Sequence, residues 1–150
     1  MKTLDEKKLK EIENRVKKFI SEGIIKSKQP KKYVEFFLSN ANDSLRTARC
    51  IYDMSTNKEY QKYTGYDGLN GFLWVINASY YGMFYMVRAL LENEGIVLKS
   101  NLSIHSLTFD VLIYYFYLTG KLQKRLFDQY LEAQEEADEL LGKQKADDLV

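Results

Sequence analysis

Apolar residues in this chain recur at helical spacing almost from end to end. Leu9, Ile12, Val16, Phe19 and Ile20 are three and four residues apart, which predicts an amphipathic helix over residues 4–22. Gly23 and the Lys-Ser-Lys-Gln-Pro segment end it. A second helix runs from Pro30 to about Met54, with Val34, Phe37, Leu38, Ala41, Leu45, Ala48 and Tyr52 as its apolar stripe and Arg46 and Arg49 displaced from it. Residues 72–93 form a third, apolar on nearly every side, with small residues at Ala78, Gly82 and Ala89 that let another helix approach closely. A fourth begins at Ser103 or Ile104, with Ser103 as its N-cap, and ends at Thr119 before Gly120. The fifth, residues 122–141, carries Leu122, Leu126, Tyr130, Ala133, Ala137 and Leu140 on one face and stops at Gly142.

Between the second and third helices, Ser55 to Gly71 is polar and tyrosine-rich, with Tyr60, Tyr63 and Tyr66 among three glycines. A connection this long predicts a short helical turn or a functional surface. The fold class that follows is all-α: an antiparallel up-and-down four-helix bundle with an extra N-terminal helix. Residues 1–30 are the basic amphipathic helix and its linker, 31–142 the bundle, and 143–150 a polar tail.

Composition narrows the chemistry. With 150 residues the chain can build a core without staples, and the single cysteine, Cys50, excludes an internal disulfide. Cys50 lies among helical residues and reads as a buried, inert thiol. One Cys and one His supply no ligand set for a structural zinc, so neither a metal nor another cofactor is expected. The charged N-terminus has no apolar segment of signal-peptide type after it. Phe72 to Leu91 is long enough to span a bilayer, but Asn77, Ser79, Arg88 and three tyrosines within it favour a buried bundle helix. No membrane association is expected, and the location is read as cytoplasmic.

Net charge is +1 but polarised: residues 1–32 sum to +6 and residues 132–150 to −5. The basic front could meet RNA or another phosphate-rich partner. Its cations alternate with acids and no stacking aromatic is interleaved. Two solvated helix faces attracting each other, or a neighbouring subunit, is therefore the favoured reading.

Three stretches together resemble the HEPN family, the higher-eukaryote and prokaryote nucleotide-binding domain, and in particular an uncharacterised prokaryotic branch of it. They are Tyr33-Val-Glu-Phe-Phe-Leu-Ser-Asn-Ala-Asn-Asp-Ser-Leu-Arg-Thr-Ala-Arg49, then Ala78-Ser-Tyr-Tyr-Gly-Met-Phe84 leading to Arg88-Ala-Leu-Leu91 and Gly95, and the His105-Ser106 step before an aromatic helix ending at Leu118-Thr-Gly-Lys121. The resemblance implies a four-helix bundle, usually a homodimer. Many members are metal-independent endoribonuclease toxins paired with a nucleotidyltransferase antitoxin. Their site is an arginine, four to six residues, then a histidine, assembled across the dimer axis.

Here the positions for that arginine hold Leu98, Lys99 and Ser100, so Lys99 is the only nearby cation. The tyrosine that some toxin members carry two residues after the histidine is Leu107. The catalytic candidates are accordingly His105, as base or acid, and Lys99, as a charge for the phosphate. Asn101 and Ser103 could add hydrogen bonds. Arg88 reads first as the ion-pair partner of Glu92 one turn on, and otherwise as a residue reaching a dimer cleft; Tyr81 reads as a core, interface or binding aromatic. Three functions follow in order. The first is a homodimeric member with a degenerate nuclease site that binds a partner protein, RNA or a nucleotide in a toxin–antitoxin or defence system. The second is an endoribonuclease using His105 with Lys99. The third is a helical adaptor that assembles a larger oligomer.

Overall fold

The computed structural model describes residues 4–99 and 103–147, with side chains included except for 140–147. Among the described residues the chain is mainly helical. In order it has α1 (Glu6–Ser21), β1 (Ile25–Lys26), α2 (Val34–Thr56), α3 (Lys58–Thr64), α4 (Phe72–Asn93), β2 (Val97–Leu98), α5 (Ile104–Leu112) running on into a π-helical turn (Ile113–Tyr117), and α6 (Lys124–Asp147).

α1 starts where Asp5 caps it: the carboxylate accepts the Lys8 N–H at 2.8 Å. Its buried residues are Ile12 and Val16, the inner positions of the apolar stripe. They pack with Leu107, Val111, Ile113 and Phe116 of α5 and its π turn, and with Phe127 of α6, so the basic helix shares the main core. Each large side chain buried there contributes about 1.5–3 kcal/mol. Arg15, on the same helix, grips the buried Asp110 of α5 with two hydrogen bonds, Nε to Oδ2 at 2.6 Å and Nη2 to Oδ1 at 3.0 Å. The apolar stripe therefore sets which face of α1 turns inward, and this ion pair fixes its register on α5.

The chain leaving α1 meets the chain leaving α4 in a small antiparallel ribbon, Ile25 opposite Leu98 and Lys26 opposite Val97. No strand follows from the helical periodicity, because two residues per strand carry no period of their own. The ribbon extends through Lys99 N–H to Ile24 O at 2.7 Å and Gln29 N–H to Gly95 O at 2.9 Å. Gly95 has φ +72° and faces the Gln29 backbone, so both its handedness and its missing side chain are used.

α2 and α4 form a long antiparallel hairpin. Tyr33 lies beside Glu92, Phe37 stacks on Tyr85 at 6.4 Å, and Leu45 and Ala41 meet Gly82 so closely that a Cβ there would lie 2.8 Å from Leu45 Cδ2. Ser55 Oγ accepts the Gly71 N–H at 2.9 Å near the far end. The polar connection holds α3, capped by Asn57, whose carbonyl accepts the Glu59 and Tyr60 N–H groups. Gln61 is buried and ties this segment together, donating to Met54 O and Leu69 O and accepting from Gly68 N–H.

Three local expectations do not hold. Cys50 is exposed, because α4 packs against the opposite face of α2, where Ala41 and Leu45 meet Gly82. α6 continues past Gly142 to Asp147, so 143–147 of the expected tail belong to the helix; a single glycine costs a helix about 1 kcal/mol without compelling a stop. The fourth predicted helix is interrupted by the π turn at Tyr117, with Leu118 N–H bonding back five residues to Ile113 O at 2.9 Å.

Candidate functional site

His105 is the second residue of α5. The residue before the helix, Ser103, occupies the N-cap position in left-handed geometry (φ 49°), and its hydroxyl makes no capping bond; the expected N-cap role does not hold. The helix start is fixed instead by the Ser103 carbonyl, which accepts the Leu107 N–H at 3.0 Å.

The imidazole enters a set of rings from α4. Tyr80, Tyr81 and Phe84 are one and four residues apart, so they share one side of that helix. Phe84 stacks on His105 at 4.1 Å between centroids with 29° between planes. Tyr81 presents its edge at 5.4 Å and 84°. The Tyr80 hydroxyl lies 3.2 Å from Nδ1. Among the described residues the ring's one hydrogen bond is this contact at Nδ1.

Arg88, one turn beyond Phe84, lays its guanidinium over Phe37 at 4.7 Å and toward Phe84 at 6.0 Å. Arg88 and His105 thus both take the Phe84 ring as neighbour. The expected ion pair with Glu92 does not form: the buried Glu92 carboxylate accepts the Tyr33 N–H at 3.0 Å. Burial lowers the Arg88 pKa, with Glu92 and Tyr85 opposing the shift. Burial also lowers that of His105, and the charge of Arg88 lowers it further. Both causes favour a neutral imidazole.

Lys99 is exposed at the end of the ribbon, next to Lys26 on the facing strand, and that second amine lowers its pKa. The structure therefore brings Arg88, Tyr81 and His105 together, while the charged group that acts on Lys99 is Lys26. Asn101 lies outside the described residues.

Behind the imidazole is a second layer. Burial, then the charge of Asp138 and the neighbouring Tyr81, raise the Tyr80 pKa. Burial and Tyr80 together push that of Tyr130, on α6, far above the ordinary phenol range. Among the described residues the buried Tyr130 hydroxyl has no hydrogen-bond partner at ordinary distance, and Tyr80 is the phenol that acts on it. Phe84 and Tyr130 are site residues that sequence reasoning did not single out. The available signal was the aromatic cluster itself, which reads as core packing until the helix facing it is known.

Tyr81 also lines an open groove of about 620 Å³ on the outer face of the hairpin, with Trp74 and Tyr85 as further rings and Ser44, Thr47 and Asn77 as polar groups. Among the described residues no cluster of His, Cys, Asp or Glu is placed to hold a metal ion. No helix there is long and apolar enough to cross a membrane. No family model matches this chain, and no curated protein or solved structure matches it either.

Proposed function

We propose that this protein is a HEPN-like homodimeric binding module with a degenerate nuclease site, and that the aromatic box around His105 recognises a partner protein or a nucleotide. In this reading α2, α4, α5 and α6 make the four-helix bundle, α1 is added to it, and the two His105 rings face a shared groove in the cytoplasmic dimer. The observation that carries the reading is the engagement of His105: stacked on Phe84, with Nδ1 held by Tyr80 and Lys99 beside Lys26 instead. RNA cleavage through the 2′-hydroxyl needs a base, an acid and a charge for the phosphorane placed around one phosphate. An imidazole packed among the rings of Tyr80, Tyr81 and Phe84, with Lys99 set beside Lys26, suits recognition better than RNA cleavage.

Purified protein incubated with labelled RNA, with and without chelator, tests this: the expected result is no cleavage that His105→Ala removes. Cleavage abolished by His105→Ala and retained in chelator would overturn it. Light scattering should give twice the chain mass, and a monomer would end the shared-groove element. One observation favours a second reading as an endoribonuclease: Arg88, rather than Lys99, shares a ring with His105. In that case Arg88→Ala would abolish cleavage and Lys99→Ala would leave it unchanged.

A further inference from the structure

On the opposite side of the hairpin from the Trp74 groove, α2, α4, α5 and α6 enclose an open concavity of about 450 Å³ whose lining includes Val34, Leu38, Met86, Leu90, Leu122 and Leu126. The apolar lining is open to solvent: Met86, Leu90 and Leu126 are exposed, as is Leu118 shortly before Leu122 in the chain. A pocket that only had to hold a small molecule would bury such residues within itself. An apolar strip continuing along helices matches the groove that receives an amphipathic helix.

Charge is distributed around this strip unevenly. Lys31 and Lys32 precede Val34, and Lys121, Lys124 and Arg125 surround Leu122 and Leu126 in the sequence; all five are exposed. None of the five is in an ion pair among the described residues. Glu35, Glu94 and Asp128 are the acids in the same segments, so cations prevail. The first turn of α6 is basic without an acid, the arrangement that the helix dipole disfavours. Among the described residues no ion pair compensates that turn, whereas an anionic partner lying across it would.

We infer that this groove docks an amphipathic helix of a partner protein, one that inserts leucine-type anchors at three- and four-residue spacing and carries acidic residues at its ends. The inference does not need the His105 reading: the groove shares Tyr130 with that site, but its lining includes none of the α4 rings that touch His105. Anchors from the partner would cover Met86, Leu90 and Leu126, and its acidic ends would meet Lys31 and Lys32 on one side and Lys121, Lys124 and Arg125 on the other. Complementary charge here selects the partner, and the apolar contact supplies the affinity.

The test uses two synthetic 20-residue helical peptides with the same leucine stripe, one with glutamates at both ends and one with lysines, in a fluorescence anisotropy titration of the full chain. The glutamate peptide should bind about tenfold or more tightly than the lysine peptide at low salt. Leu126→Glu, and separately Met86→Glu, should abolish binding; both positions are solvent-exposed, so the fold is retained and circular dichroism checks it. The double variant Lys124→Glu with Arg125→Glu should reverse the preference toward the lysine peptide. Equal affinity for both peptides, no binding of either, or binding indifferent to Leu126→Glu would overturn the inference. So would oleate binding in the groove without peptide binding, which would mark a small-amphiphile site.

Discussion

The two halves of this molecule are built on opposite terms. Around α1, α5 and the first turns of α6, side chains such as Val16, Val111, Ile113 and Phe127 are fully buried. Along the α2–α4 hairpin, α2 buries only Ala41 and Ala48, while Tyr52, Phe72 and Trp74 remain exposed and Tyr63, on α3, is 92% exposed. The first region holds stability and the second displays surface. The exposed aromatic side chains all lie between Tyr33 and Tyr81, and the His105 box forms where the two regions meet, α5 supplying the histidine and α4 the rings. The contrast teaches that an apolar helix need not be a core helix: α4 is apolar all round because it serves the core on one side and a surface on the other.

Substitutions sharpen this contrast in descending order of effect. Phe127→Ala should destabilise by about 3–5 kcal/mol in urea unfolding, because the fully buried ring leaves a cavity. Trp74→Ala, as large a truncation on the hairpin, should change stability by no more than about 0.5 kcal/mol; similar losses at the two sites would erase the distinction. Arg15→Ala comes next, at about 2–3 kcal/mol, because it strands the Asp110 carboxylate, whose side chain is 5% exposed. Arg15→Lys should recover only part of that, lacking the two-pronged geometry.

Gly95→Ala should cost about 1–2 kcal/mol from its left-handed backbone alone. Its new Cβ would also fall 2.9 Å from Gln29 O, so hydrogen exchange should quicken in the ribbon. The smallest effect belongs to pH. Since the folded imidazole is harder to protonate than a free one at 6.5, its stabilising contribution is complete above that value. It is lost as pH falls through the lowered folded value. His105→Phe keeps a stacked ring and should flatten that acid-side slope in urea unfolding at pH 5–8.

Much of the architecture was legible because long helices announce themselves by period. α4 falls on residues 72–93 as the pattern requires, and α1 buries Ile12 and Val16 from its stripe. What escaped was set by tertiary contact. The ribbon depends on two loops meeting, the π turn on packing around Ile113 and Phe116, and the exposure of Cys50 on α4 packing against the other face of α2. The site was half legible. A lone histidine at a helix start marked the residue on which the proposed site is built, and the position of the resembled family's arginine set Lys99 beside it. Folding pairs it instead with Arg88, seventeen residues earlier, through the ring of Phe84.

Because His105 is the only histidine, its imidazole can be followed by NMR without assignment ambiguity. A pH titration should give a pKa below 6.5, moving upward in Arg88→Gln as the nearby positive charge is removed. An imidazole titrating at or above 6.5, and unmoved by Arg88→Gln, would contradict the enclosed aromatic box on which this account rests.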